Sequence, residues 1–383
     1  MQKKRFHIIG IPHAISNDDY MSCAYTQKIR KLCRMLVKAG HEVIHYGNEG
    51  ADVMASEIVD VATKEHLWQH YPLNQQAFFN FKTEDEFHQH YYRITTAEIL
   101  KRYRDYDFIL CMWGWGHQPI AKHFDGMKAI VVEPGVGYND TFTYHRVFES
   151  YSHMHYVYGK SNQYNGVYQD CVIPNYFNPD DFSFTSDKQD YLLYFGRITQ
   201  RKGVELAIQV AKATGHKIIL AGNGDLVSKE EQLNIKVEPG VVEHVGYCGK
   251  EERRVLMANA KALLVFTQYI EPFGGVNVEA QLSGTPVIST DWGAFTETVL
   301  HGITGYRIRN FDQAVWAINN IQKINPVVCR QWAMDNYSED RIIQMYEEYF
   351  QGLYDICTQQ EGWYYVDPTR DNLDWLCKRY PQI

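Results

Sequence analysis

The chain has no cysteines at redox or metal spacing. Its 8 cysteines, at positions 23, 33, 111, 171, 248, 329, 357 and 377, contain no Cys-x-x-Cys and no zinc-like grouping. Scattered thiols in a long chain read as reduced, which argues against a disulfide-built secreted scaffold and suits a cytoplasmic protein. No stretch approaches the roughly 18 apolar residues of a membrane span. The opening Met1-Gln2-Lys3-Lys4-Arg5-Phe6-His7-Ile8-Ile9-Gly10 is basic, but its apolar run is too short for a signal peptide. There is no convincing Asp-x-Asp metal motif. Net positive charge is also missing: a formal charge of −8 argues against a general nucleic-acid surface.

The 383 residues present suit two domains, and 45% hydrophobic with 22% charged residues suits a folded enzyme. Residues 1–175 carry 18 Lys+Arg against 19 Asp+Glu, so most of the negative charge lies later. Histidine is lopsided in the other direction, 13 of 16 preceding residue 176. Aromatics reach 14%; most are core, though aromatic faces also suit sugar stacking.

The pattern alternates strand and helix. Phe6–Ile11 reads as a strand, Tyr25, Ile29, Leu32, Cys33 and Leu36 as one helix face, Gly40 as its stop, and His41–Tyr46 as the next strand. Residues 48–104 show mostly helical spacing. Asp107–Met112, Lys128–Val132 and His155–Tyr158 read as further strands. Tyr191–Phe195, Lys217–Ala221, Ala262–Thr267 and Pro286–Ser289 restart the alternation, with a helix over Val204–Ala211. This predicts an α/β fold of two Rossmann-like domains facing each other across a cleft. The two prolines of Ile173–Phe182 suit the linker.

Two places carry chemistry. Gly196-Arg197-Ile198-Thr199-Gln200-Arg201-Lys202-Gly203 follows a strand and precedes a helix, so Arg197 and Lys202 stand where open α/β sheets bind ligands. The plain alternative is a solvated basic loop. Glu271-Pro272-Phe273-Gly274-Gly275-Val276-Asn277-Val278-Glu279 sets two carboxylates eight positions apart around a glycine turn. A helix opening after the glycines would offer backbone N–H groups to an anion, while the carboxylates grip hydroxyls. Ser283-Gly284-Thr285-Pro286-Val287-Ile288 follows.

Over roughly residues 172–350 the sequence resembles the retaining, family 4-type glycosyltransferases of the GT-B fold. The resemblance rests on Glu271-x7-Glu279, Gly284-Thr285-Pro286-Val287, Asp291-Trp292-Gly293-Ala294 with Glu297, and His301-Gly302-Ile303-Thr304-Gly305. It implies an acceptor-binding domain at 1–174, a nucleotide-sugar-binding domain at 175–357, and a helical tail at 358–383 packing back on the first. It implies transfer of a sugar from a nucleotide-diphosphate sugar to a saccharide, lipid-linked or other hydroxyl acceptor, with no cofactor and no metal. Arg197 and Lys202 would hold the diphosphate, and Glu271 the transferred sugar. Glu279 would hold the ribose, and the amides of Phe273, Gly274 and Gly275 the sugar or distal phosphate. Gly222 and Tyr247 would lie near the base. The catalytic set is then Glu271, Arg197 and Lys202.

The first half departs from the pattern. Glu133-Pro134-Gly135 stands where such proteins often carry a histidine. Glu133, Tyr138, His117, His153 and Trp113 (with Trp115 as stacking partner) are the acceptor-side candidates. Lys28, Arg30, Lys31, Arg34 and Lys38 share one helix, which raises peripheral contact with an anionic membrane against a simple solvated face. Two alternatives stay open: a phage- or virus-type DNA glucosyltransferase of the same fold, or a nucleotide-sugar-binding protein without catalysis.

Overall fold

The computed structural model describes residues 3–21, 23–73 and 81–359, and it divides into two compact units. The first contains residues 3–149, 154–175 and 339–359 among those described; the second contains 150–153 and 176–338.

In the first unit seven parallel strands form one sheet. They are β1 (Arg5–Ile9), β2 (Glu42–Asn48), β3 (Glu57–Ala62), β4 (Phe108–Leu110), β5 (Ile130–Val136), β6 (Arg146–Phe148) and β7 (Cys171–Val172), in the order β3-β2-β1-β4-β5-β6-β7. The helices are α1 (Ala24–Lys38), α2 (Lys64–His70), α3 (Glu86–Arg102), the short α4 (Gln118–Ala121) and α5 (Tyr151–Lys160), whose first turn groups with the second unit. Strand β3 was not anticipated. Its Glu57 and Asp60 face outward on an edge strand, so its apolar content falls below a buried-strand signal. His155–Tyr158, expected as a strand, lies inside α5. β5 continues past the expected end at Val132 through Glu133, Pro134 and Gly135.

The second unit holds β8 (Tyr191–Phe195), β9 (Lys217–Ala221), a small hairpin of β10 (Val227–Ser228) and β11 (Leu233–Asn234), then β12 (Val242–Gly246), β13 (Ala262–Val265), β14 (Val287–Thr290) and β15 (Gly305–Ile308). The six-stranded parallel sheet runs β12-β9-β8-β13-β14-β15. Its helices are α6 (Val204–Thr214), α7 (Lys250–Asn259), α8 (Gly275–Leu282), α9 (Phe295–Thr298), α10 (Phe311–Asn319) and α11 (Pro326–Tyr337). Strands such as Leu192-Leu193 and Leu263-Leu264 are buried on both faces, which parallel sheets require.

The last described helix, α12 (Glu339–Cys357), corrects the expected boundary at 357. It groups with the first unit. Phe350 packs on Phe6 and Phe108 at centroid distances of 4.8 and 5.1 Å, and Tyr349 donates to the Gln169 carbonyl at 3.0 Å. The apolar face of Ile342, Tyr346, Tyr349, Phe350 and Leu353 finds its partners there. The expected helical tail at 358–383 lies almost wholly outside the described residues.

Candidate active site

Strand order places the site. From β8 the chain goes to β9 and then β12 on one side, and returns to β13, β14 and β15 on the other. The order reverses between β8 and β13, and loops leaving two such strands diverge around a crevice. Those loops carry Arg197 to Lys202 and Tyr269 to Gly274.

Lys202 Nζ lies 2.6 Å from Glu271 Oε2, with side chains 22% and 17% exposed. Tyr269 accompanies them: the Arg201 guanidinium and the Lys202 ammonium stand 4.9 and 5.0 Å from its ring centroid. Burial raises the Tyr269 phenol above its ordinary pKa, and the Glu271 carboxylate adds to this. Gln268 N–H donates to the Arg201 carbonyl at 2.8 Å, so backbone as well as charge joins the two loops. Arg197 lies on the first of them, its carbonyl accepting the Tyr194 hydroxyl at 2.5 Å.

Gly274 turns the chain into α8. Its φ of 74° is left-handed, and a Cβ there would stand 2.5 Å from Phe295 Cε1. Phe273, just before it, is buried with Phe177, Val278, Leu282, Trp332 and Tyr337. Two polar side chains of α8 are fully buried: the Asn277 amide donates to Thr298 Oγ1 at 3.3 Å, and Gln281 donates to the Thr298 carbonyl at 2.8 Å. The helix start is thus fixed in position, with its positive dipole end at the crevice and no acidic residue in its first turn. Glu279 pairs with Arg253 of α7, whose guanidinium stacks on Phe195 at 5.0 Å. Each carboxylate of the motif therefore meets a cation from another element. Gly222 lets the β8 and β9 loops touch: a Cβ would fall 2.0 Å from the Gly196 carbonyl oxygen. Its N–H donates to Gly246 at 2.7 Å, next to Tyr247.

The first unit gives its candidates other work. Glu133 accepts four hydrogen bonds: from Tyr138 Oη (3.0 Å), Phe142 N (3.0 Å), Thr143 N (2.9 Å) and Thr143 Oγ1 (2.9 Å). Burial raises its pKa while these donors pull it down. Glu133 and Tyr138 therefore brace the 138–143 turn. His117 joins two loop starts: its Nδ1 accepts from Met112 N at 3.1 Å, which leaves Nε2 to donate to the Gly10 carbonyl at 3.0 Å. Burial pushes its pKa down to about 3, so it is neutral, with both ring nitrogens engaged. Glu133, Tyr138 and His117, expected on the acceptor side, are thus each engaged in bonds within the first unit. The first sheet reverses between β1 and β4, and Trp113 follows β4, its ring 5.1 Å from both His13 and Phe81. Beside it, His88 Nδ1 lies 2.8 Å from Asp85 Oδ1, and His88 Nε2 lies 3.5 Å from His13 Nδ1. The sequence reading missed His13, Asp85 and His88; a Pro12-His13 step just past the first strand was the available signal. It also missed Tyr269 and Arg253.

Nor does α1 present a bare basic face. Lys28 is buried against Glu149 and donates to the Gly135 carbonyl at 2.9 Å; Arg30 pairs with Asp18 and Asp52, and Arg34 with Glu339. Among the described residues no group of three or more His, Cys, Asp or Glu is arranged to hold a metal ion, and no helix is long and apolar enough to cross a membrane.

Residues 178–332 match the family model of glycosyl transferases group 1. An uncharacterized glycosyltransferase of Methanocaldococcus jannaschii is 28% identical over 171 residues, 43% of this chain and 42% of that protein. A D-inositol 3-phosphate glycosyltransferase of Mycobacterium marinum is 31% identical over 136 residues, 34% of this chain and 29% of that protein. The chain spans less than half the length of these curated relatives. Among solved structures, sucrose-phosphate synthase from Thermosynechococcus elongatus superposes with a TM-score of 0.67 at 17% identity, covering 92% of this chain and 100% of that one. Anabaena HepE in complex with UDP-glucose gives 0.59 at 14%, covering 90% and 98%. These likenesses show the GT-B fold. The family-model match covers residues 178–332, within the second unit, which is thus similar to glycosyl transferases group 1.

Proposed function

We propose that the chain transfers a sugar from a nucleotide-diphosphate sugar to a hydroxyl acceptor, with retained anomeric configuration and without a metal ion. The observation that carries this reading is the Lys202–Glu271 contact beside the α8 N-terminus, at the strand-order reversal. The UDP-glucose held by the HepE structure, a likeness of fold, supports the donor class.

The chemical demand is departure of the diphosphate. As the bond from the anomeric carbon to phosphate oxygen breaks, negative charge grows on the phosphate. Lys202, Arg197 and the α8 N-terminus are fixed cationic or dipolar groups for that charge, which is where preorganised electrostatics lowers a barrier most. They fill the role a divalent ion would otherwise take. Glu271 holds sugar hydroxyls, and Glu279 holds the ribose once it exchanges Arg253 for ligand. Gly222 and Tyr247 border the base. On the acceptor side the departing phosphate oxygen takes the acceptor hydroxyl proton as the new carbon–oxygen bond forms on the same face, so no protein nucleophile is needed. The acceptor is a saccharide or a lipid-linked hydroxyl, and the protein works in the cytoplasm.

A thermal-shift panel of UDP-, GDP-, ADP-, CMP- and dTDP-sugars identifies the donor, and the anomeric proton coupling of the transferred sugar reports stereochemistry. Transfer should continue in excess EDTA. An inverted product would remove the retention reading, and a protein that binds donor yet never turns it over would remove transfer altogether.

A further inference from the structure

The chain segment Ser150–Ser152 precedes the donor half in sequence, yet its contacts place it in the second unit. Ser150 is 1% exposed. Its hydroxyl donates to the Pro272 carbonyl at 2.6 Å, across 122 positions of sequence, and accepts the His153 N–H at 3.0 Å. The next two amides, Tyr151 N and Ser152 N, donate to the Glu297 carboxylate at 2.9 and 2.8 Å. Glu297 sits on α9, directly after the glycine turn that follows β14. Three residues therefore fasten to the Glu271 motif at Pro272 and to α9 at Glu297.

The consequence for Glu271 follows from its neighbours. The Glu271 carbonyl accepts Ala294 N–H at 3.1 Å. Phe273 is locked by burial at 2% exposure. Pro272, between them, has no N–H, so its own backbone hydrogen bonding goes through its carbonyl alone. Ser150 supplies the donor. We infer that Ser150, with Glu297 behind it, is a positioning residue: it sets the direction of the Glu271 carboxylate and of the amides that follow. It touches no substrate itself. The inference rests on the proposed donor site, but one of its readouts does not.

The test uses the full chain carrying Ser150→Ala or Ser150→Thr. Hydrogen exchange of the peptide covering residues 268–275, in the ligand-free protein, needs no activity. Ser150→Ala should speed that exchange, and Ser150→Thr, which keeps the hydroxyl, should not. With the donor chosen by thermal shift, Ser150→Ala should lower kcat/KM for the nucleotide sugar by about fivefold to tenfold, the scale of one lost hydrogen bond. Binding of the free nucleoside diphosphate should stay unchanged, because the loop contacts the sugar end. Unaltered exchange in Ser150→Ala, or equal impairment of the alanine and threonine variants, overturns the inference. Wild type that binds none of the nucleotide sugars overturns the proposed function instead, and the exchange result still decides the role of Ser150.

Discussion

Replacing Lys202 by alanine separates a binding cation from a structural one. Its ammonium has two possible tasks: pairing with Glu271 and holding donor phosphate. The first is worth little. Both side chains keep about a fifth of their surface in water, and partly exposed ion pairs contribute roughly 0.2–1 kcal/mol after screening. For a domain of this size that shifts Tm by about 1–4 °C. The second task is worth more, since a hydrogen bond to a charged group contributes roughly 1.5–3 kcal/mol. At 1.36 kcal/mol per decade, that is about 10- to 150-fold in kcat/KM. Loss of Lys202 also leaves Glu271 facing phosphate with its charge uncompensated, which pushes the effect toward the upper end. The assay is steady-state transfer beside urea unfolding of the same preparation. Adding Glu271→Gln completes a double-mutant cycle: because both groups act on one donor, the double variant should lose little more than Lys202→Ala alone. If activity and stability fall in proportion, the lysine is structural and the donor argument fails.

Other residues carry shorter tests. Gly274→Ala meets both a left-handed φ and the Phe295 ring, and should destabilise by about 1–3 kcal/mol while abolishing donor-induced thermal shift. Glu133→Ala leaves two backbone N–H groups and the Tyr138 hydroxyl without their carboxylate acceptor, while the Thr143 hydroxyl keeps the His145 carbonyl; it should cost about 2–4 kcal/mol in urea unfolding. Acid should unfold the protein through its buried histidines. His117 is held at about 3 and His45 at about 4 by burial, below the ordinary 6.5. Their unfolded forms bind protons first as pH falls below 6.5, so their contribution is complete above 6.5 and is lost on the way down toward those values. Each should cost about 1.4 kcal/mol per pH unit within that window. Urea midpoints at pH 7 and pH 5 measure the slope, and His117→Asn should flatten it.

The elements of the proposed donor half were legible because their information is local. Arg197 and Lys202 lie five residues apart on one loop, and Glu271 to Glu279 on one turn and helix, so strand-loop-helix order alone places them. Strands with continuous apolar runs, such as Tyr191–Phe195, announce themselves. β3 does not, because an edge strand alternates with charge, and His155–Tyr158 mimics a strand until Tyr151 and Ser152 find a carboxylate cap on Glu297. That cap lies 145 residues away, beyond any window of pattern reading.

The acceptor-side candidates depend on contacts that the sequence does not spell out. A buried Glu or His is chemically suggestive in a sequence, but its role depends on whether its lone pairs and protons are already spent. Glu133 has four donors around it, and His117 has one partner on each nitrogen; neither can turn to a substrate without breaking the turn or the loop junction it holds. Those partners are backbone groups and short side chains whose convergence no spacing encodes. What topology does encode is the crevice. Strand order reverses between β1 and β4 just as it does between β8 and β13, so on the proposed function the acceptor would meet the loops after β1 and β4. His13 and Trp113 stand there, with His88 and Asp85 behind them. A substitution at Trp113 should therefore change acceptor KM with donor binding intact.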